Sequence, residues 1–188
     1  MKEADYRLLR KGVEEWNRWR SENPRARPDL SDAELPGLDL REANLKDTDL
    51  SRANLEGAIL AKADLSRSDL SGAILNMAIL VEARVAGASM IGAHLAGANL
   101  QRANLDGAIV EQALFTGCDL TEAVLTGVFA SGANFAGTRM VGCDLSYADF
   151  SYADLTSANM RDAKSTGAKF SHAKLMGAVL PAHDSWEE

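Results

Sequence analysis

The chain has 188 residues, 46% of them hydrophobic, which suits one folded domain and excludes a disordered polymer. Its formal net charge of −7 excludes a general binder of nucleic acid or anionic membrane, because those surfaces demand an excess of Lys and Arg. The charge is also unevenly divided, summing to +3 over residues 1–27, −10 over 28–160, +3 over 161–182 and −3 beyond, so an acidic body lies between two mildly basic segments.

Met1-Lys2-Glu3-Ala4-Asp5 lacks the apolar core of a signal peptide, and no stretch approaches eighteen consecutive apolar residues. A cytoplasmic protein without a membrane partner is expected. In residues 4–22, Tyr6, Leu9, Val13, Trp16 and Arg20 recur at intervals of three and four, with Leu8, Gly12 and Trp19 alongside. This spacing predicts one amphipathic helix, ended by Asn23-Pro24. Leu9, Val13, Trp16 and Trp19 are assigned to covering the start of whatever follows, in preference to membrane-surface binding.

From Pro28 to Ala182 one five-residue unit repeats without a slip of phase, as in Ala43-Asn44-Leu45-Lys46-Asp47 and Ala153-Asp154-Leu155-Thr156-Ser157. The central residue, here called the hub, is Leu in most of the thirty-one units from Leu30 to Leu180. Val85, Met90, Val110, Phe115, Phe135, Met140, Phe150, Met160 and Phe170 are apolar substitutes, and Ala130 is a small one. Two residues before the hub stands Ala or another small residue such as Thr48, Ser68, Cys118, Thr138 or Cys143. Large and small apolar residues two apart share a direction only on extended or frequently turning backbone, so a helix is excluded and a solenoid follows. The recurring glycines, Gly87, Gly92, Gly97 and Gly107 among them, serve turns rather than a phosphate loop.

The pattern Ala, Asp or Asn, Leu and two variable residues resembles that of the pentapeptide repeat proteins and covers about four fifths of the chain. The resemblance implies an all-β solenoid, a right-handed quadrilateral parallel β-helix with four units per coil and hub and Ala side chains inside. That gives about eight coils over residues 28–182, with an N-terminal α-helical cap in 1–27 and a tail at 183–188. Residues twenty apart then stack at about 4.8 Å. At that spacing Glu42, Lys62, Glu82, Arg102 and Glu122 form a ladder alternating in charge, and Ala130 is expected to have its missing volume filled by the rings of Phe115, Phe135 and Phe150.

An open-ended solenoid exposes its core. At the far end, Leu175, Leu180 and Trp186 are the candidate contact: either Trp186 folds over the last coil, or two chains meet there. Characterised pentapeptide repeat proteins often dimerise through C-terminal coils, so the resemblance favours a homodimer. Outward apolar residues gather at Ile59, Ile79 and Val81, at Ile74, Met77 and Leu114, and at Ile109 below Phe129. Tyr147 and Tyr152, beside Asp144, Asp149 and Asp154, form a candidate partner-binding strip, and Lys164, Lys169 and Lys174 are placed to discourage edge-to-edge aggregation.

No catalytic, cofactor or metal residues are assigned. His94, His172 and His183 lack ligand spacing with Cys118 or Cys143, which read as small buried hydrophobes. A convex rod also lacks the enclosed pocket that tunes acids and bases. The function expected is a non-enzymatic rigid rod serving as a protein–protein interaction or structural module, with a protein partner that the sequence does not name. Trp16-Asn17-Arg18-Trp19-Arg20 followed by Pro28-Asp29-Leu30 resembles the lead-in of cyanobacterial-type members of the family. The alternative, also implied by the resemblance, is a DNA-like column that binds DNA gyrase and protects it from quinolones. DNA carries one charge per about 1.7 Å, so a length of about 32 Å would carry roughly nineteen, against a net −10 here. The loop insertions of the plasmid-borne resistance members are also missing.

Overall fold

Every unit is a turn. The N–H three residues after the hub donates to the hub carbonyl, as Ala33 does to Leu30 at 3.1 Å and Ala103 to Leu100 at 3.0 Å. The residue two after the hub has φ between 55° and 70° in every unit from Asp32 to Gly177, whether or not it is glycine. A hydrogen bond from i+3 to i with positive φ at i+2 is the signature of a type II turn. Each turn redirects the chain, and the computed structural model, which describes residues 1–181, shows where it returns. Every parallel bridge joins residues twenty apart, from Asp29 with Asp49 to Asn159 with Val179. Four units close one coil of the solenoid.

Neighbouring coils are tied at both edges of each bridge: Leu30 N donates to Asp49 O at 2.7 Å, and Asp49 N donates to Pro28 O at 2.9 Å. The four sides can be named by the residue before the hub. Side one carries Asp29, Asp49, Asp69, Ser89, Ile109, Phe129, Asp149 and Lys169; side two runs from Glu34 to Lys174, side three from Asp39 to Val179, and side four from Asn44 to Lys164. Residues two after the hub occupy the corners between sides.

Hub and preceding small side chains point inward and are fully buried through the body of the rod, as at Leu60, Ala98, Leu100 and Leu125. Burying one Leu contributes about 1.5 to 3 kcal/mol before entropy is counted. Phe115 stacks on Phe135 at 4.7 Å, Phe135 meets Phe150 edge-on at 5.4 Å, and Phe150 stacks on Phe170 at 5.5 Å. Ala130 is fully buried beneath Phe150 in its hub column. Inward hydroxyls bond to nearby carbonyls: Ser68 donates to Leu65 O and Thr138 to Phe135 O, both at 2.7 Å. One hub departs from the apolar rule. Ser165 is wholly buried at a hub position, and its Oγ has no hydrogen-bond partner.

The N-terminal segment corrects the expectation of a single helix. It forms α1, Glu3–Arg10, and α2, Val13–Glu22, broken where Gly12 takes φ 121°. Leu9 and Trp16 are buried, Val13 is half-buried against the core, and half-buried Trp19 packs its ring 5.8 Å from that of Trp16. The helices lie along the lower edge of the first coil, where coil-to-coil bonds would otherwise be missing. Lys2 N donates to Asp29 O at 2.8 Å, and Asp29 N donates to Asp5 Oδ2 at 3.0 Å. Trp16 Nε1 donates to Asn44 O at 2.8 Å, and Asn17 takes Asn44 N–H while giving its amide to Glu42 O. Arg20 donates to Lys46 O and Ala26 O, its cation held beneath the edge.

Candidate interaction surface

With the interior filled, reactive groups inside are inert. Cys118 and Cys143 are buried and unpaired, their thiols donating to Leu95 O and Leu120 O at 2.9 Å. Burial pushes both thiols up to about 12, far from the thiolate that a nucleophile or metal ligand needs. Among the described residues no three His, Cys, Asp or Glu side chains converge to hold a metal ion. His94 lies on side two and His172 at a corner; His183 falls outside the described residues. A surface groove of about 550 Å³ runs past Arg27, Asp29, Asp47, Asp49, Arg67 and Asp69. It opens to solvent, and Arg67 already donates to Asp47 from Nε and Nη2 at 2.9 and 2.8 Å.

The wall is organised by the twenty-residue step. Arg52 grips Asp32, Arg67 grips Asp47 and Arg84 reaches Asp64 at 2.7, 2.8 and 2.9 Å. An acid followed twenty residues on by Arg is the sequence signal for these three pairs, which the reading of a single corner missed. On the corner it did single out, Glu82 is reached by Lys62 at 3.8 Å and by Arg102 at 2.8 Å. Hydrogen bonding from Arg67 holds the Asp47 carboxyl below its ordinary value. Partial burial works to raise that of Asp64, but hydrogen bonds from Ser66 and the Arg84 guanidinium outweigh it.

The residues of the candidate strip are distributed by the same geometry. Asp144 sits on side four, Asp149 on side one and Asp154 on side two. Each faces a lysine one coil on: Lys164 approaches Asp144 at 3.7 Å, Lys174 approaches Asp154 at 3.4 Å, and Lys169 occupies the rung beyond Asp149. Hydrogen bonds from Ser146, Ser151 and Thr156 lead in keeping these three carboxyls below their usual range. The acid is therefore largely neutralised locally. Tyr147 and Tyr152, by contrast, share a side. They are the two corners of side one in the rung of Asp149, 70% and 64% exposed, with Phe129 in the rung below at 52%. Tyr147 leans over Gly167 and Tyr152 stacks on His172 at 4.9 Å. Ile91 on the same side is also exposed, a residue the sequence reading passed over. A second apolar cluster, Met77 with Ile79, wraps the corner between sides two and three.

At the far end Leu175 is half-buried, and Met176, Val179 and Leu180 are exposed. Trp186, the third residue assigned to this end, lies outside the described residues.

The profile of pentapeptide repeats matches the chain in eight copies, over segments running from residue 29 to residue 180. The chain belongs to the pentapeptide repeat family, and its solenoid is a right-handed β-helix. Among solved structures it resembles HetL, a pentapeptide repeat protein involved in heterocyst differentiation regulation from the cyanobacterium Nostoc sp. strain PCC 7120. The two are 30% identical over 80% of this chain and 84% of HetL, with a TM-score of 0.51. It also matches QnrB1, a plasmid-mediated fluoroquinolone resistance protein, at 19% identity over 80% and 88% of the two chains and a TM-score of 0.46. Rfr23 from the cyanobacterium Cyanothece 51142 matches at 26% identity over 87% and 96%, with a TM-score of 0.25. No curated protein matches the chain.

Proposed function

We propose that the protein is a non-enzymatic rigid rod that binds other proteins through its outer wall. In this reading about eight coils over residues 28–182 form the rod, residues 1–27 cap its first coil, and 183–188 are a tail. One observation carries it: the interior is filled by hub and small side chains, so chemical variety is confined to residues displayed on a regular four-sided wall. Regularly spaced side chains on stiff backbone suit recognition, since little ordering entropy is lost on binding. Similarity to HetL, a protein involved in regulating differentiation, agrees with a role exerted through partners.

Tyr147 and Tyr152 are the proposed anchors, because exposed aromatic side chains beside Phe129 make an apolar centre with polar residues around it. Affinity capture from the native host compares the wild type with the Tyr147→Ala/Tyr152→Ala variant. Proteins held by the first and lost by the second support the reading; an identical set on both rejects this surface. The end formed by Leu175 and Leu180 is proposed as a homodimer contact, and sedimentation of Leu180→Asp tests it. The gyrase alternative rests on the net −10 of residues 28–160. Interleaving of Arg52, Arg67, Arg84 and Arg102 with their acids makes the wall alternate in sign where DNA is uniformly negative. A supercoiling assay with purified gyrase, with and without a quinolone, decides it: neither inhibition nor protection at micromolar protein removes gyrase as the partner.

A further inference from the structure

Side one has a pattern that fits itself. Its rungs from Asp69 read Asp69, Ser89, Ile109, Phe129, Asp149, Lys169. The corner entering the side reads Arg67, Gly87, Gly107, Gly127, Tyr147, Gly167 over the same rungs, and the corner leaving it reads Gly72, Gly92, Gln112, Gly132, Tyr152, His172. A twofold axis lying across the side, midway between the Ile109 and Phe129 rungs, would bring a second copy face to face and antiparallel, with like corners together. Asp69 then opposes the second copy's Lys169, Ser89 opposes Asp149, and Ile109 opposes Phe129. At the corners Tyr147 meets Gly87, Tyr152 meets Gly92, Gln112 meets Gly132, His172 meets Gly72 and Arg67 meets Gly167. Every large corner residue faces a glycine.

Gly92, opposite Tyr152, has open space where a side chain would begin, as have Gly107 and Gly127 at the side's centre, whereas Gly87 has the Arg67 side chain at 3.6 Å beside it and Gly167 lies under the Tyr147 ring. Other arrangements lose the match. A parallel pairing sets Asp69, Asp149 and Lys169 each against itself. With the axis on the Ile109 rung, Asp69 meets Asp149. With it on the Phe129 rung, Ile109 meets Asp149 and Tyr152 meets Gln112. Like charges set against each other are a strong penalty at an interface, so charge and shape choose one register.

We infer that side one pairs with a second copy of the chain, antiparallel, with Asp69 against Lys169. The inference rests on the reading of the rod as an interaction module and names the partner that this side takes. It concerns a lateral contact, separate from the end at Leu175 and Leu180.

The test is sedimentation velocity on the full chain across micromolar concentrations, in a Leu180→Asp background so that contact through the end does not contribute. Asp69→Lys alone and Lys169→Asp alone each set like charges together at both symmetric positions, and each is expected to weaken self-association by about tenfold or more. Mixing the two variants restores both opposite pairs within one heterodimer, so the mixture is expected to regain the affinity of the parent. Unchanged circular dichroism in each variant confirms that the coil itself is intact. Monomeric parent protein, dimerisation indifferent to either reversal, or failure of the mixture to recover would each overturn the pairing. In those cases the capture experiment with Tyr147→Ala/Tyr152→Ala still tests a different protein partner on its own terms.

Discussion

Gly167 offers a test of how corners and coils interlock. Its φ of 66° is one that side chains rarely adopt, and a Cβ built there would stand 2.8 Å from Cδ1 and 3.1 Å from Cε1 of the Tyr147 ring. Gly107, with φ 61°, is the control, because its added Cβ would meet nothing within 4 Å. Gly107→Ala therefore brings backbone strain alone, about 1 to 2 kcal/mol. Gly167→Ala brings the same strain plus displacement of an aromatic ring, and overpacking of this kind costs typically about 1 to 3 kcal/mol more. Adding Tyr147→Ala removes the clash, so the double variant Tyr147→Ala/Gly167→Ala should be less destabilised than the sum of its single changes, by about 1 kcal/mol or more. Urea unfolding followed by circular dichroism measures the wild type and all four variants. Equal losses for Gly107→Ala and Gly167→Ala, or strict additivity in the cycle, would refute the claim that the tyrosine ring rests on the glycine of the next coil.

Ser165→Ala should stabilise the protein by about 1 kcal/mol in the same assay, because it deletes a buried hydroxyl that has no partner. Cys118 and Cys143 should resist alkylation in the native protein at mildly alkaline pH and react at once in denaturant, since burial holds both thiols protonated; native labelling would contradict the packing. Asn17→Ala removes two hydrogen bonds to the first coil and should cost about 1 to 3 kcal/mol, against a negligible effect for Arg10→Ala on the exposed face of α1. Acid should destabilise the rod. The carboxyls of Asp47, Asp64 and Asp119 lie below their ordinary value when folded, so their contribution is complete above that value and is lost as pH falls through the lower, folded one. Arg84→Gln, which removes the cation beside Asp64, should raise the midpoint of acid unfolding; an unmoved midpoint would show that the pair has no bearing on stability.

The period of five and the stacking at twenty were legible because two positions in every five must be apolar or small to fill the interior, and nothing interrupts the count. What escaped has physical causes. The three- and four-residue spacing of Tyr6, Leu9, Val13 and Trp16 continues across Gly12, so apolar periodicity alone joined two helices that backbone freedom at one glycine separates. Asp5 and Asn17 were passed over as interface residues, and Arg20 was placed on the buried face without its hydrogen-bonding role, since amphipathicity counts apolar groups, whereas an open coil edge requires donors and acceptors. Ser165 was hidden by its neighbours: one polar hub in an apolar series is invisible to a periodicity argument. The tyrosines and their neighbouring acids were found, but not how they divide among the sides, with Asp144 on side four, Asp149 on side one and Asp154 on side two, because residues five apart in sequence face different sides and residues twenty apart share one.

That same rule separates the surface into corners that serve the fold and corners that do not. A non-glycine residue held at positive φ carries strain of about 1 to 2 kcal/mol. At Arg52, Arg67 and Arg102 the side chain reaches an acid twenty residues back, so part of that strain is offset by a bond between coils. Tyr147 and Tyr152 take the same conformation, with φ of 60° and 61°, and their rings stay mostly in solvent with only ring contacts to the next coil. Glycine occupies the corresponding corners one coil below, at Gly127 and Gly132, without this strain. Strained, solvent-facing aromatics on a scaffold that accepts glycine point to a use beyond folding, and side one is where the wall places both of them.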